Sequence, residues 1–440
     1  MVVRVVIVGG YGGMGQLFAR LFKGEGCDVC ITGPTERKGR KAAKELGVAY
    51  EKDNVTAVKE ADVVVITVPI AVTADTIKEV APAVNEGSLL MDLTSVKGWP
   101  CQLMAEHAGK AVEVIGTHPV FGPRVGSVDG QIFVLTPVRG KKWLSWLRDI
   151  LERHNARIID STPEEHDEVM AVVQGLTHFA YISVGKTLKD LELDVKRSRH
   201  FSSPVYELML DMIGRIIGQD PHLYAEIQMQ NPRVIDVHNA FLKASGDLSS
   251  AVREKREPEF VEMMAEAARH FGDTERSMGR SDKAIGSLVA ELKTLKNSIG
   301  EEMCLRHMYS GVLHYGVVEA VSADEVVLLD GGKRNVLKLS NLQVLGDAEM
   351  FDYKLGKYGT TSRDYSVILA EGADETFISE LIVEDNDRVS SVAVKDIYQG
   401  EKLGEGVKSV CFGVEFIQED VKGTDMELKD FFTRIGGRLR

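Results

Sequence analysis

Cysteine is scarce, with five in 440 residues, too few for the disulfide framework that staples small secreted domains. Cys27 and Cys30 form a C-x-x-C pair, but both fall in "CDVCITG", a strand pattern in which residues three apart face opposite sides. No redox role is expected of them, and no metal site is read anywhere in the chain. Apolar runs of 18 or more residues are absent, which excludes a membrane-spanning helix. The opening "MVVRVVIVGG" enters a strand directly, without the basic segment, apolar core and cleavage site of a leader; a cytoplasmic location is expected. Aromatics make up only 7% of the chain, and 53 Lys and Arg stand against 66 Asp and Glu, a formal net charge of −13. That balance argues against nucleic acid as a partner, and an anionic small molecule would need a few locally placed cations. Repeats and low-complexity linkers are missing too, so the length implies several ordinary domains.

What is present falls into four stretches. Residues 1–160 alternate strand patterns ("RVVIVGG", "DVCITG", "DVVVITVPI", "SLLMDLTS", "VEVIGTHP", "QIFVLTPV") with helical ones. Near-continuous β-branched strands are those of a parallel sheet covered on both faces, so an α/β Rossmann doubly wound domain is expected. Residues 161–300 read as all-helical, beginning at "TPEEHDEVM" with Thr162 as N-cap, Pro163 at the first position and Glu165 closing a capping box. Residues 301–354 form a small β-rich segment with an Asp-Gly-Gly hairpin signal. Residues 355–440 read as mixed α+β.

In "VIVGGYGGMGQLF" the spacing Gly10, Gly12, Gly15 follows an apolar strand and opens a helix, the context in which G-x-G-x-x-G cradles a pyrophosphate. The first glycine would serve a tight turn, the second backbone approach to the phosphates and the third helix–strand packing. The plainer reading is a tight turn with no ligand. At the end of the second strand, "ITGPTERKGRK" shows no acid for ribose hydroxyls; Thr35, Arg37 and Lys38 suit a 2′-phosphate instead. NADP is therefore preferred over NAD, although Glu36 could still serve a ribose.

Two further stretches lie beyond the ends of later strands. "DLTSVK" carries Asp92, Thr94, Ser95 and Lys97, and "GTHPVFGP" places His118 in a rigid loop between Gly116 and Pro119. Gln174, His178 and Tyr181 form a polar stripe on the first long helix, readable either as a pocket wall or as an internally bonded helix interface. Arg215, one cation in an apolar helix, is either a carboxylate clamp or an intrahelical partner of Asp211.

These stretches, with "GGYGGMG", "VITVPIAVTADTI", "TPEEHDEVMAVVQGLTHF" and "SSPVYELMLDMIGRIIGQDPHLYAEIQMQNP", resemble the prephenate dehydrogenases of tyrosine biosynthesis, and most closely the dehydrogenase part of bifunctional T-proteins. The resemblance runs from residue 1 to about residue 285. It implies that His118 hydrogen-bonds the 4-hydroxyl of prephenate during hydride loss and that Ser95 orients this histidine. By the same resemblance Arg215 binds a substrate carboxylate, and His178, with Gln174, belongs to the substrate pocket. Gly13, Met14, Val68 and Pro69 join Gly10, Gly12 and Gly15 as implied cofactor contacts, and a homodimer is implied. Residues 360–440 resemble the ferredoxin-fold anticodon-binding domain of the phenylalanyl-tRNA synthetase β-subunit. With 17 Asp and Glu against 11 Lys and Arg from residue 355 onwards, an aromatic amino acid effector fits this stretch better than RNA. The expected activity is oxidative decarboxylation of prephenate to 4-hydroxyphenylpyruvate. The alternatives are an arogenate dehydrogenase and, from another class, a non-catalytic cofactor-sensing or tRNA-binding regulatory protein.

Overall fold

The computed structural model describes residues 2–308, 310–322, 324–400 and 403–440. The chain divides into two compact units, Met1–His270 and Phe271–Arg440.

In the first unit eight strands form one sheet: β1 (Arg4–Val8), β2 (Asp28–Thr32), β3 (Ala49–Glu51), β4 (Val63–Ile66), β5 (Leu89–Asp92), β6 (Glu113–Pro119), β7 (Ile132–Arg139) and β8 (Arg157–Asp160). Their order is β3-β2-β1-β4-β5-β6-β7-β8. Neighbours are parallel except β6 and β7, which are antiparallel. The direction reverses there because residues 120–131 contain no helix, and a parallel return needs a crossover. The edge strands β3 and β8 escaped the sequence reading because "AYE" and "RIID" carry no long apolar run.

Alternation along the central strands explains why both faces are covered. Val5 and Ile7 pack with Phe18, Phe22, Val29 and Ile31 on one face. Val6 and Val8 pack with Val64, Ile66, Ile77 and Met104 on the other. Each such fully buried side chain contributes about 1.5–3 kcal/mol. The covering helices are α1 (Gly13–Gly24), α2 (Glu36–Leu46), α3 (Asn54–Val58), α4 (Ile70–Val80), α5 (Gly98–His107) and α6 (Lys142–Arg153).

The helical part follows as α7 (Pro163–Met170), α8 (Thr177–Asp190), α9 (Val195–Arg199), α10 (Pro204–Ile217), α11 (Pro221–Gln230), α12 (Val234–Arg253) and α13 (Glu257–Phe271). Thr162 caps α7 by accepting the Glu165 N–H, but the capping box stays half closed because the Glu165 carboxylate accepts the Ser161 hydroxyl instead. Between α7 and α8 the residues Ala171–Leu176 form a π-helical turn. No side chain of α8 or α13 is fully buried, and Phe201 and Met229 are 83% and 80% exposed.

The second unit begins with α14 (Thr274–Asn297), so the helical stretch 161–300 is shared between the units. Leu295 of α14 packs with Leu305, Val318, Val326 and Leu328 of an antiparallel sheet. That sheet holds β9 (Glu302–His307), β10 (Leu313–Val321), β11 (Glu325–Asp330), β12 (Lys333–Lys338) and β13 (Leu342–Val344), in the order β12-β11-β10-β9-β13. The Asp-Gly-Gly signal is a two-residue hairpin turn, with Asp330 paired to Lys333 and positive φ at both Gly331 and Gly332. Helix α15 (Asp347–Tyr358) leads to β14 (Thr360–Ala370), α16 (Glu375–Asp385), β15 (Val389–Tyr398), β16 (Val407–Ile417), α17 (Val421–Arg434) and β17 (Arg438–Leu439). The order β15-β16-β14-β17, with Ile382 of α16 and Phe432 of α17 packed in one core with Phe412 and Phe416 of β16, is ferredoxin-like.

Candidate active site

The glycine cluster sits between β1 and α1, tied to the end of β2 by the Gly9 and Gly10 N–H groups, which both donate to the Thr32 carbonyl (3.2 and 3.1 Å). The tight turn falls on Gly9, whose φ is +83°, and not on Gly10 as the motif suggests. Gly10 is required for packing, since a Cβ there would lie 2.6 Å from Ile31. A Cβ on Gly15 would lie 2.6 Å from the Gly10 Cα. At Gly12 a Cβ would meet only the Gly9 carbonyl, at 3.4 Å. This middle glycine therefore leaves the approach to α1 open, and the first-turn N–H groups of Gly13, Met14 and Gly15 have no intrahelical acceptor. An open backbone cradle at a helix N-terminus fits a dinucleotide pyrophosphate. Val68 lies across from it against Gly9, and the exposed Pro69 caps α4.

The end of β2 carries no carboxylate of its own, and Glu51 of β3 stands in register with Thr32. Thr32 donates its hydroxyl to Asn54 Oδ1 (2.7 Å), and the Tyr11 ring sits where a Gly33 side chain would be. Glu36 is held by Arg40 in an i,i+4 pair (2.8 Å). Thr35, Arg37 and Lys38 are exposed, and among the described residues neither Arg37 nor Lys38 has an ion-pair partner.

The second half of the site is built around His118, which is 2% exposed. It stands within β6, paired with Val134 of β7, rather than in a loop; the ladder with β7 holds it, while the pairing of β6 with β5 ends at Gly116. Its Nδ1 lies 2.8 Å from His166 Nε2, and His166 Nδ1 lies 2.8 Å from Asp167 Oδ1. Asp167 also accepts the Lys97 and Gly98 N–H groups (2.7 and 2.8 Å), which anchors α7 to the start of α5. Gln174, on the π-helical turn, approaches His118 Nε2 to 3.3 Å and donates its amide N–H there. With the Asp167 carboxylate accepting from His166, the chain of donors runs His118 Nδ1–H to His166 Nε2 and His166 Nδ1–H to Asp167. That leaves the His118 Nε2 lone pair facing Gln174.

The electrostatics keep this histidine neutral. Burial, then the facing His166 and Lys97, hold its pKa well below the ordinary 6.5. Burial also lowers His166, with Asp167 working in the opposite direction. For Asp167, burial alone would raise the pKa, but the hydrogen bonds from His166 and the two backbone N–H groups win and lower it. Lys97 is fully buried and bonded to Asp92, as is the Thr94 hydroxyl.

Ser95 is half-buried in the loop after β5, and among the described residues no hydrogen bond links it to His118. The residue bonded to His118 Nδ1 is His166. His166 and Asp167 were missed by sequence reading although "EEHDE" was in view; two adjacent polar residues at a helix start look like a solvated first turn.

Gln174 lies on the π-helical turn and His178 in the first turn of α8. His178 packs its ring against Tyr224 (centroids 4.6 Å apart, 70° between planes). Gln174 Oε1 and His178 Nδ1 are buried without a hydrogen-bond partner, a cost of about 1–3 kcal/mol each that a polar ligand would remove. Arg215 is exposed on α10, and the intrahelical alternative is not realised because Asp211 pairs with Arg199 (2.9 Å). Gln219 ties this region together, donating to the Arg215 carbonyl (2.8 Å) and the Tyr224 hydroxyl (3.0 Å). Among the described residues, no group of three or more His, Cys, Asp or Glu side chains could hold a metal ion, and no helix is long and apolar enough to cross a membrane.

A doubly wound domain with an open glycine cradle, together with a buried neutral histidine on a later strand of the same sheet, is the arrangement of a nucleotide-dependent dehydrogenase. Residues 18–160 match the prephenate dehydrogenase nucleotide-binding domain, 162–266 the prephenate dehydrogenase dimerization domain, and 356–440 the ferredoxin-fold anticodon binding domain. The chain is 40% identical over 441 residues to the probable arogenate/prephenate dehydrogenase of Methanocaldococcus jannaschii, covering 99% of this chain and 98% of that one. It is 31% identical over 291 residues to the T-protein of Haemophilus influenzae (66% of this chain, 73% of that one). The crystal structure of prephenate dehydrogenase from A. aeolicus in complex with hydroxyphenyl propionate and NAD+ shares the fold (TM-score 0.52, 23% identity, 62% of this chain and 99% of that chain). The chain belongs to the prephenate/arogenate dehydrogenase family.

Proposed function

We propose that this enzyme is a prephenate dehydrogenase, forming 4-hydroxyphenylpyruvate and CO2 with NADP preferred over NAD. The observation that carries this reading is His118, buried and neutral, with its Nε2 lone pair turned to the Gln174 amide, a partner that a substrate hydroxyl can replace. Gly10, Gly12, Gly13, Met14, Gly15, Val68 and Pro69 would hold the dinucleotide, and Thr35, Arg37 and Lys38 a 2′-phosphate. When bound, the nicotinamide supplies the two-electron oxidation by accepting hydride.

The protein's own residues do the rest. His118 Nε2 takes the proton of the substrate's 4-hydroxyl, replacing the Gln174 amide as its partner; a neutral imidazole is required for that. Arg215, unpaired and exposed, binds a carboxylate, and His178 Nδ1 and Gln174 Oε1 gain partners in the substrate. Ser95 stays a candidate for the hydroxyl side of the pocket. The exposed apolar side chains of the helical part support a homodimer.

Arogenate is the second reading, favoured by one observation. Glu226, on the helix that carries Tyr224, has a buried carboxylate oxygen without a partner, a group that an amino-acid ammonium would satisfy. Formation of reduced cofactor from prephenate or arogenate, each with NAD and NADP, separates these readings. Turnover of prephenate with NADP is expected; turnover of arogenate alone reverses the substrate assignment. A duplicate set with tyrosine tests an aromatic amino acid effector. Cofactor binding without turnover of either substrate returns the chain to a sensing role.

A further inference from the structure

From the geometry around His118 we infer that His166 and Asp167 form a proton relay, so that the proton taken from the substrate comes to rest on His166. The inference rests on the reading of His118 as proton acceptor.

Three buried groups stand in line, with His118 Nδ1 2.8 Å from His166 Nε2 and His166 Nδ1 2.8 Å from Asp167 Oδ1. His166 is 2% exposed and uses both ring nitrogens in this line. Anchoring α7 to α5 needs only Asp167, which already accepts the Lys97 and Gly98 N–H groups. An imidazole placed between that carboxylate and the acceptor histidine adds nothing to the anchor, yet it gives a proton a path.

The surrounding charges decide where the proton settles. Lys97, from the loop after β5, disfavours a cation on either ring. Its own charge is matched by Asp92. Cys101 of α5 is a neutral thiol, pushed up to about 11 by burial. From α7, Asp167 meets the ring of His166, and from the π-helical turn Gln174 brings a neutral amide to His118. Of the two imidazoles, only His166 has a carboxylate in contact, so a single positive charge is better placed there.

The step balances without any change of oxidation state. The substrate O–H bond breaks as His118 Nε2–H forms; His118 Nδ1–H breaks as His166 Nε2–H forms. His166 keeps its Nδ1–H bond to Asp167, which remains a carboxylate. After product leaves, the shifts reverse and His118 Nε2 returns the proton to water.

The test uses the full-length enzyme and His166→Gln, whose amide can still accept from His118 but cannot carry a proton. Thermal melting checks that the variant folds. The variant should lose roughly tenfold or more in kcat, with KM for the substrate within about twofold. The acid limb of its kcat profile should move to lower pH by about one unit, because the acceptor no longer shares its proton with a carboxylate-paired ring. A loss of kcat with the acid limb unmoved marks a merely structural residue and overturns the relay, as does wild-type kcat. Nitrogen NMR of the histidines in the wild-type enzyme without substrate judges the relay independently of turnover. On acidification the first imidazolium should appear at His166; its appearance at His118 overturns the relay. An enzyme that turns over neither substrate refutes the functional reading and leaves this measurement intact.

Discussion

Asp92 and Lys97 form an ion pair in which neither side chain has any exposed surface. Among the described residues the second Asp92 oxygen has no hydrogen-bond partner, so the carboxylate leans on this lysine and on Thr94. Lys97→Met should therefore cost about 3–5 kcal/mol in denaturant unfolding, because it strands a buried charge. Lys97→Met combined with Asp92→Leu should recover most of that loss. A single variant as stable as the wild type would show that the pair contributes nothing.

Arg215→Ala removes an exposed cation that has no ion-pair partner among the described residues, so folding stability should stay within about 0.5 kcal/mol of wild type. Steady-state kinetics should show KM for the substrate raised by at least about tenfold with a smaller change in kcat, the pattern of lost substrate binding. An unchanged KM would remove Arg215 from the site.

His178 presents the opposite balance. Its Nδ1 is buried and unbonded, and burial holds its pKa below the ordinary 6.5. His178→Leu should leave the melting temperature equal or higher, since it deletes an unsatisfied group, while KM rises. A large drop in melting temperature would mean the ring is needed for packing against Tyr224 and not for ligand.

The buried histidines also set a pH dependence of stability. His118 and His166 bind protons less readily folded than unfolded, so the unfolded state holds more protons below about pH 6.5. Stability should accordingly fall as pH drops below that value, and His118→Asn should flatten the slope between pH 6.5 and 5. The same variant should lower kcat by about a hundredfold or more. Calorimetric melts across this range check the first expectation, and a slope identical to wild type would contradict it.

For the cofactor, Arg37→Ala with Lys38→Ala should lower kcat/KM for NADP by at least about tenfold and leave NAD within about twofold. Equal losses with both cofactors would show that these side chains do not read a 2′-phosphate.

Much of this enzyme was legible one residue at a time. Alternating and β-branched runs such as "RVVIVGG" determined the central strands, because a strand covered on both faces must be apolar throughout. Glycine spacing marked the cradle, and Thr162 and Pro163 marked the start of the helical part. What the sequence could not specify depends on which distant groups meet. The antiparallel turn into β7 follows from a loop without a crossover helix. The π-helical turn that brings Gln174 to His118 leaves no periodic signal. His118 and His166 are 48 residues apart, and only the packing of α7 on α5 and β7 makes one the neighbour of the other. Residue types and short spacings set the local structure, whereas the protonation of His118 is a property of its burial and of its neighbours, which the tertiary fold alone assembles.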